Sequence, residues 1–177
     1  MRETAQFLEG FLDLNNLPPL IIDADGLRLL SQLDEWPEKL PVGSVLTPHP
    51  GEMAALCELS VDEIQADRVG IVEKYAQEWD QHIVLKGAHT VIGDPGGQTC
   101  ILIGAHPALA RAGSGDVLAG ILCGLITQGV EPFDAAGAGA WVHVRAGILE
   151  SDRVGNPAAV LAGGISDMIG QTLAELD

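Results

Sequence analysis

Positive charge is scarce in this chain: 9 lysines and arginines stand against 25 aspartates and glutamates in 177 residues, a formal net charge of −16. A nucleic acid or an anionic membrane requires a basic footprint, so neither is expected as a partner. The excess of negative charge reads as a soluble, self-repelling surface, with a specific basic partner as the alternative. Cysteine is sparse too. Cys57, Cys100 and Cys123 are odd in number, far apart and without C-x-x-C spacing, which excludes a disulfide framework or a zinc site and points to a reducing compartment. The stretch from Met1 to Leu14 mixes charges among apolar residues, with neither a signal-peptide core nor a spanning run, so the expected location is cytoplasmic. His82, His89 and His106 make no metal-ligand spacing, and no protein metal site is expected. There is no Gly-x-x-x-x-Gly-Lys-[Ser/Thr] loop, so any phosphate binding must be of another kind. Trp36, Trp79 and Trp141 are scattered as packing residues are, and His143 reads as a packing histidine.

What is present is apolar material, 47% of the chain, enough for one sizeable core and too little length for a second full domain. Residues 1–177 are therefore read as a single α/β domain. Pro18-Pro19 ends a first helical pattern, and Leu20-Ile21-Ile22 is a short unbroken apolar run of the kind found in buried parallel strands. A helix-like stretch follows from Gly26 to Leu33, then a loop punctuated by Pro37 and Pro41, and a second strand from Val42 to Leu46. Ser60-Val61-Asp62-Glu63 has capping-box spacing, and Ile64, Ile71, Val72 and Tyr75 suit one amphipathic helix running to about Trp79. His82 to Leu85 gives a third strand. Thr90–Ile92 and Cys100–Ile103 flank Asp94-Pro95-Gly96-Gly97 as a hairpin, which makes the sheet mixed. Helices are expected from Asp116 to Thr127, from Pro132 to about Leu149, and toward Leu176. This order implies a three-layer α/β domain with a mostly parallel sheet, whose ligands sit at the carboxyl ends of the strands. The loops at Asp23, Thr47, Lys86 and Gly113 fall at such ends.

Three constellations carry chemistry. The first is Ala112-Gly113-Ser114-Gly115-Asp116, a glycine turn opening into an apolar helix. Gly113 and Ser114 form an anion cradle with Gly115, because glycine admits close backbone approach and the first helical N–H groups point outward at the positive dipole end. Asp116 at the helix start can act as a base on a substrate hydroxyl while those N–H groups hold a phosphoryl group. The alternative is an ordinary capping aspartate. The second is Lys86-Gly87-Ala88-His89-Thr90, which offers a cation or its backbone, a flexible glycine and a hydroxyl at a strand end; the alternative is a surface lysine before a turn. The third is Thr47-Pro48-His49-Pro50-Gly51-Glu52, where two prolines clamp a histidine between strand and helix. Rigid presentation of His49 to a substrate competes with Glu52 simply favouring the helix N-terminus. Asp23 and Asp25 alternate at a strand end, where turn formation outweighs a metal role.

Taken in order, Ile22-Asp23-Ala24-Asp25-Gly26-Leu27, Leu46 to Glu52, Leu85 to Thr90 and Ala112 to Gly120 resemble the ADP/ATP-dependent NAD(P)H-hydrate dehydratases over nearly the whole chain. The resemblance implies a ribokinase-like fold, carbohydrate-kinase-like in type, and a lyase (hydro-lyase) activity. That activity is metabolite repair, in which NADH-hydrate or NADPH-hydrate is dehydrated at the expense of ADP or ATP with Mg²⁺. It further implies that His49 and Asp116 contact the substrate, with Asp116 catalytic, and that Lys86, Gly87, Ala88, His89, Thr90 and Gly115 bind the nucleotide. Family members carry early strands ahead of the point where this chain begins, so the chain is expected to be the C-terminal part of the usual domain and to form a homo-oligomer. Arg111 and His106 depart from the residues common in the family at those places. A vitamin-precursor or sugar kinase of the same superfamily, and a non-catalytic nucleotide-binding or assembly fragment, are the competing readings.

Overall fold

Three short apolar runs become the parallel part of the sheet: β1 (Ile21–Ile22), β2 (Val45–Leu46) and β3 (His82–Leu85). Ile21 pairs with Val45 and Ile22 with Leu46, while Val45 and Leu46 pair in turn with His82 and Ile83. Val45, Leu46, Ile83, Val84 and Leu85 are fully buried, as strands covered on both faces must be. β4 (His89–Gly93) returns antiparallel on β3, and β5 (Thr99–Ile103) follows the turn at Asp94–Gly97, giving a mixed sheet of order β1-β2-β3-β4-β5. The structure, a computed structural model, describes residues 2–176. Its contacts fall into two units, Met1–Gly87 with Val91–Cys100 and Ala88–Thr90 with Ile101–Asp177.

The first unit carries α1 (Arg2–Leu12), α2 (Asp25–Leu30), α3 (Trp36–Lys39), α4 (Pro50–Cys57), α5 (Val61–Ala66) and α6 (Arg68–Trp79). Its core joins Leu27, Leu30, Leu46, Met53, Ile64, Val72 and Ile83. Trp36 and Trp79, distant in sequence, meet edge to face at 4.7 Å, with Tyr75 4.8 Å from Trp79. Such aromatic pairs add to simple burial. The Ser60–Glu63 box forms as the spacing implied: Ser60 Oγ accepts the Glu63 N–H and the Glu63 carboxylate accepts the Ser60 N–H.

Two local expectations are corrected. The loop at Pro37 contains α3, because proline in a first helical turn gives up no hydrogen bond. The helix expected from Ser60 to Trp79 is two helices. Asp67 leaves helical geometry and its carboxylate accepts the Gly70 N–H at 2.9 Å, capping α6 where α5 ends.

The second unit contains α7 (Ser114–Thr127), α8 (Pro132–Val154), α9 (Ala162–Asp167) and α10 (Ile169–Ala174), with single 3₁₀ turns at Pro107–Leu109 and Pro157–Ala159. α8 runs past the expected Leu149 to a left-handed Gly155. A Cβ at Gly139 would lie 2.6 Å from Leu122 Cδ2, so this glycine sets how closely α8 packs on α7. Among the described residues, no helix is long and apolar enough to cross a membrane.

Candidate functional site

The carboxyl ends of β1, β2 and β3 bring four charged or titratable side chains together. Thr47, fully buried, donates its N–H and its hydroxyl to the Ile22 carbonyl, at 3.1 and 3.4 Å, and the Lys86 N–H reaches the Pro48 carbonyl at 2.8 Å. These bonds carry the pairing beyond the strands and fix where Asp23, His49 and Lys86 emerge. Lys86 Nζ then donates to Asp23 Oδ1 at 2.5 Å and stands 3.8 Å from Glu52 Oε2. The side chains of Asp23 and Lys86 are 13% and 22% exposed, dry enough for the pairing to be stronger than a surface ion pair. Beside Asp23, Ala24 takes φ 50° and ψ −122°, a conformation costly for any residue with a Cβ.

His49 is the N-cap of α4. Its Nδ1 accepts the N–H groups of Gly51 and Glu52 at 2.9 and 3.2 Å, and Glu52 returns a carboxylate oxygen to the His49 N–H at 2.7 Å. The sequence of this loop follows from that geometry. Pro50 opens the helix without losing a bond. A Cβ on Gly51 would sit 2.9 Å from His49 Cε1, so the ring can fold over the first turn only above a glycine. His49 remains 56% exposed at the side chain.

Gly87 and Ala88, which follow β3, and His89 at the start of β4 are exposed, and Thr90 is half-buried. Beside the end of β3 stands Arg68, the first residue of α6, whose Nη2 donates to the carbonyls of Leu85 and Lys86 at 2.9 and 3.2 Å. Burial pushes its guanidinium below the ordinary value. A Cβ on Gly87 would come within 2.8 Å of that Nη2.

In the second unit, Gly113 occupies the left-handed region at φ 85° and opens α7. Ser114 is buried, with its hydroxyl donating to the Leu109 carbonyl at 2.7 Å and its N–H to the Arg111 carbonyl at 3.2 Å. Its part is to hold the turn shut. Gly115 and Asp116 follow as the next residues of the helix, where N–H groups lack intrahelical partners, and Asp116 is exposed. From Asp116 an open groove of ≈ 560 Å³ runs along α7 past Gly120 and Gly124, walled by Val142, Ile169 and Leu173. His143 is buried in α8. Among the described residues, no cluster of three or more histidine, cysteine, aspartate or glutamate side chains could hold a metal.

A family model described as NAD(P)H-hydrate dehydratase matches residues 2–171. This chain belongs to the NAD(P)H-hydrate dehydratase family. It is 43% identical over 163 residues to the bifunctional NAD(P)H-hydrate repair enzyme of Moorella thermoacetica, covering 90% of this chain and 30% of that protein. It is 40% identical over 162 residues to the ADP-dependent (S)-NAD(P)H-hydrate dehydratase of Neisseria meningitidis, covering 90% of this chain and 54% of that protein. The chain thus spans from under a third to about half of the length of these curated relatives. The ADP/ATP-dependent NAD(P)H-hydrate dehydratase of Bacillus subtilis, co-crystallised with ATP and Mg²⁺, superposes with a TM-score of 0.81 at 25% identity, over 100% of this chain and 61% of that one. A ribokinase-like superfamily protein of Enterococcus faecalis gives a TM-score of 0.75 at 27% identity, over 97% and 58%. These likenesses establish the ribokinase-like α/β fold that the sequence implied.

Within this dehydratase-family chain the structure joins Asp23, His49 and Lys86, and adds two residues that the sequence did not single out. Glu52 stood out only as a helix-start charge, and Arg68 not at all. The i, i+3 relation of His49 to Glu52 was a usable signal, since it is the spacing of a capping box.

Proposed function

We propose that this chain acts in the nucleotide-dependent dehydration of NADH-hydrate and NADPH-hydrate, as one ribokinase-like domain over residues 1–177. Membership of the dehydratase family carries the reading, and the exposed carboxylate of Asp116 at the start of a glycine-opened helix supplies its chemistry. In the first unit His49 contacts the hydrated nicotinamide, and Lys86 and Gly87 contact ADP or ATP, as do Ala88, His89 and Thr90 of the second. In the second unit Gly113, Ser114 and Gly115 shape the anion-binding turn, with Gly115 also contacting the nucleotide and Asp116 contacting the substrate.

Asp116 takes the proton of the substrate hydroxyl as that oxygen attacks the terminal phosphorus of the nucleotide, and the bond to the nucleotide's bridging oxygen breaks. The phosphate then leaves the ring together with a proton from the adjacent carbon, which restores the dihydropyridine double bond. The helix-start N–H groups stabilise charge on the phosphoryl group in transfer. The donor set here, with Asp23 and Glu52 both engaged by Lys86, fits Mg²⁺ arriving on the nucleotide, whose phosphate charge it would neutralise.

The test follows products. Purified chain with NADPH-hydrate, ATP and Mg²⁺ is expected to return NADPH absorbance with free phosphate released in equal amount. A phosphate ester accumulating from a vitamin precursor or a sugar, with no NADPH returned, would assign the chain to the kinases of the superfamily. Absence of ADP and ATP binding in calorimetry on folded protein would remove the nucleotide site.

A further inference from the structure

Among the described residues two helices open on capping boxes, at His49 and at Ser60, and they differ in a way capping does not explain. At Ser60 the partner Glu63 is exposed, and a single oxygen, Oε2, takes both the Ser60 N–H and its hydroxyl. That suffices to finish a helix. At His49 the partner Glu52 is 7% exposed at the side chain, and each of its oxygens faces a polar neighbour. Oε2 accepts the His49 N–H and faces Lys86 Nζ at 3.8 Å, while Oε1 lies 3.3 Å from His49 Nε2.

The hydrogen-bond pattern assigns the ring. Nδ1 accepts two backbone N–H groups, so it carries no proton, and the ring proton sits on Nε2 opposite Glu52 Oε1. A histidine cap would manage this with solvent at Nε2. Burying a carboxylate there is costly unless its charge is matched, and Lys86, itself held by Asp23, supplies the match.

We propose that Glu52 is a positioning residue that reinforces the Nε2–H tautomer selected by the two bonds to Nδ1 and couples the His49 ring to the Lys86 ammonium, so that the ends of β2 and β3 are ordered as one charge-coupled unit. Its consequence for catalysis rests on the functional reading given above; the ordering itself does not. With Asp23 bonded to the ammonium and Glu52 beside it, what Lys86 offers a nucleotide is chiefly its backbone.

Glu52→Gln tests this with little change of shape. The amide oxygen can still accept the His49 N–H and keep α4 capped, but the amide nitrogen then opposes either Nε2–H or the Lys86 ammonium. Imidazole ¹⁵N spectra of the whole chain, with His49 assigned from a His49→Gln sample, report the tautomer directly. Wild type is expected to show the Nε2–H form almost alone, and Glu52→Gln a several-fold rise in the Nδ1–H form. A mixed tautomer in wild type overturns the proposal without any variant, and so does an unchanged spectrum in a folded Glu52→Gln protein. Titration with NADPH-hydrate adds the functional arm, where loss of one charge-assisted contact should weaken binding about tenfold in the variant. Wild type that binds no hydrate would fail the functional reading, while the tautomer comparison would still decide the role of Glu52.

Discussion

Lys86 Nζ and Asp23 Oδ1 lie 2.5 Å apart although 63 positions separate them in the chain, and their contact closes the ends of β1 and β3 across β2. The pair is a stability element as well as a site element. Replacing Lys86 by Met leaves Asp23 and Glu52 as neighbouring, largely buried carboxylates without a counter-charge, and removing one partner of such a pair is the expensive change. Lys86→Met is expected to lower stability by about 2–3 kcal/mol, more than Asp23→Asn does. The double variant should lose less than the sum of the two. Urea unfolding of the four proteins measures this, and strict additivity would mean that the contact contributes nothing.

Arg68 and Gly87 offer a second cycle. The guanidinium occupies the space a Cβ at 87 would need, at 2.8 Å, while bonding the carbonyls of Leu85 and Lys86. Gly87→Ala should therefore cost about 1–2 kcal/mol in the wild-type background through overpacking. In an Arg68→Ala background, where that space is open, it should cost little. Equal costs in both backgrounds would show that backbone conformation, not the arginine, demands glycine here.

Much of the site was legible because its signals are local. The Ser60-to-Glu63 spacing, the apolar runs ending at Ile22 and Leu46, and the glycine turn before Asp116 each act within a few residues; the box formed as read, while the strand expected from Val42 is confined to Val45–Leu46 and the helix expected from Asp116 begins at Ser114. The break at Asp67 was hidden because Ile64, Ile71 and Val72 keep helical periodicity straight through it; only the aspartate's own side chain interrupts the backbone. Glu52 looked like a helix-start charge because what makes it more than that, Lys86, comes from another strand end. Arg68 was invisible for a related reason. Its acceptors are backbone carbonyls, which leave no mark in a sequence.

Cys57 sets a pH dependence on the alkaline side. Burial pushes its thiol up to about 12, against an ordinary 9.0, with a hydrogen bond to Tyr75 acting the other way. Between those values the unfolded chain loses this proton and the folded chain keeps it, so stability falls as pH rises above about 9 and is untouched below. Cys100 shifts in the same direction through burial. The slope of unfolding free energy against pH from 9 to 11 should be shallower in Cys57→Ala than in wild type. An identical slope would place the thiol in contact with water. Exposed Cys123 should alkylate in the native protein while Cys57 does not.

Asp116 is the residue on which turnover should depend most sharply. It is the third residue of α7, where the positive end of the helix favours a carboxylate, and its Oδ2 folds back to 3.8 Å from the position a Cβ on Gly113 would take. That places it over the turn proposed to hold the transferred phosphoryl group. Asp116→Asn keeps the size of the side chain and the N–H groups of the turn, so nucleotide affinity should change little. What it removes is a proton acceptor needed only as the substrate hydroxyl attacks, and the cost of losing such a base is on the order of a hundredfold or more in rate. The two quantities are read separately, affinity by calorimetry with ATP and rate by return of NADPH from its hydrate. Turnover near the wild-type value would reduce Asp116 to a helix-start residue. A parallel loss of nucleotide binding would instead make it part of the phosphate site, since a base acting on the substrate alone has no reason to move the affinity for ATP.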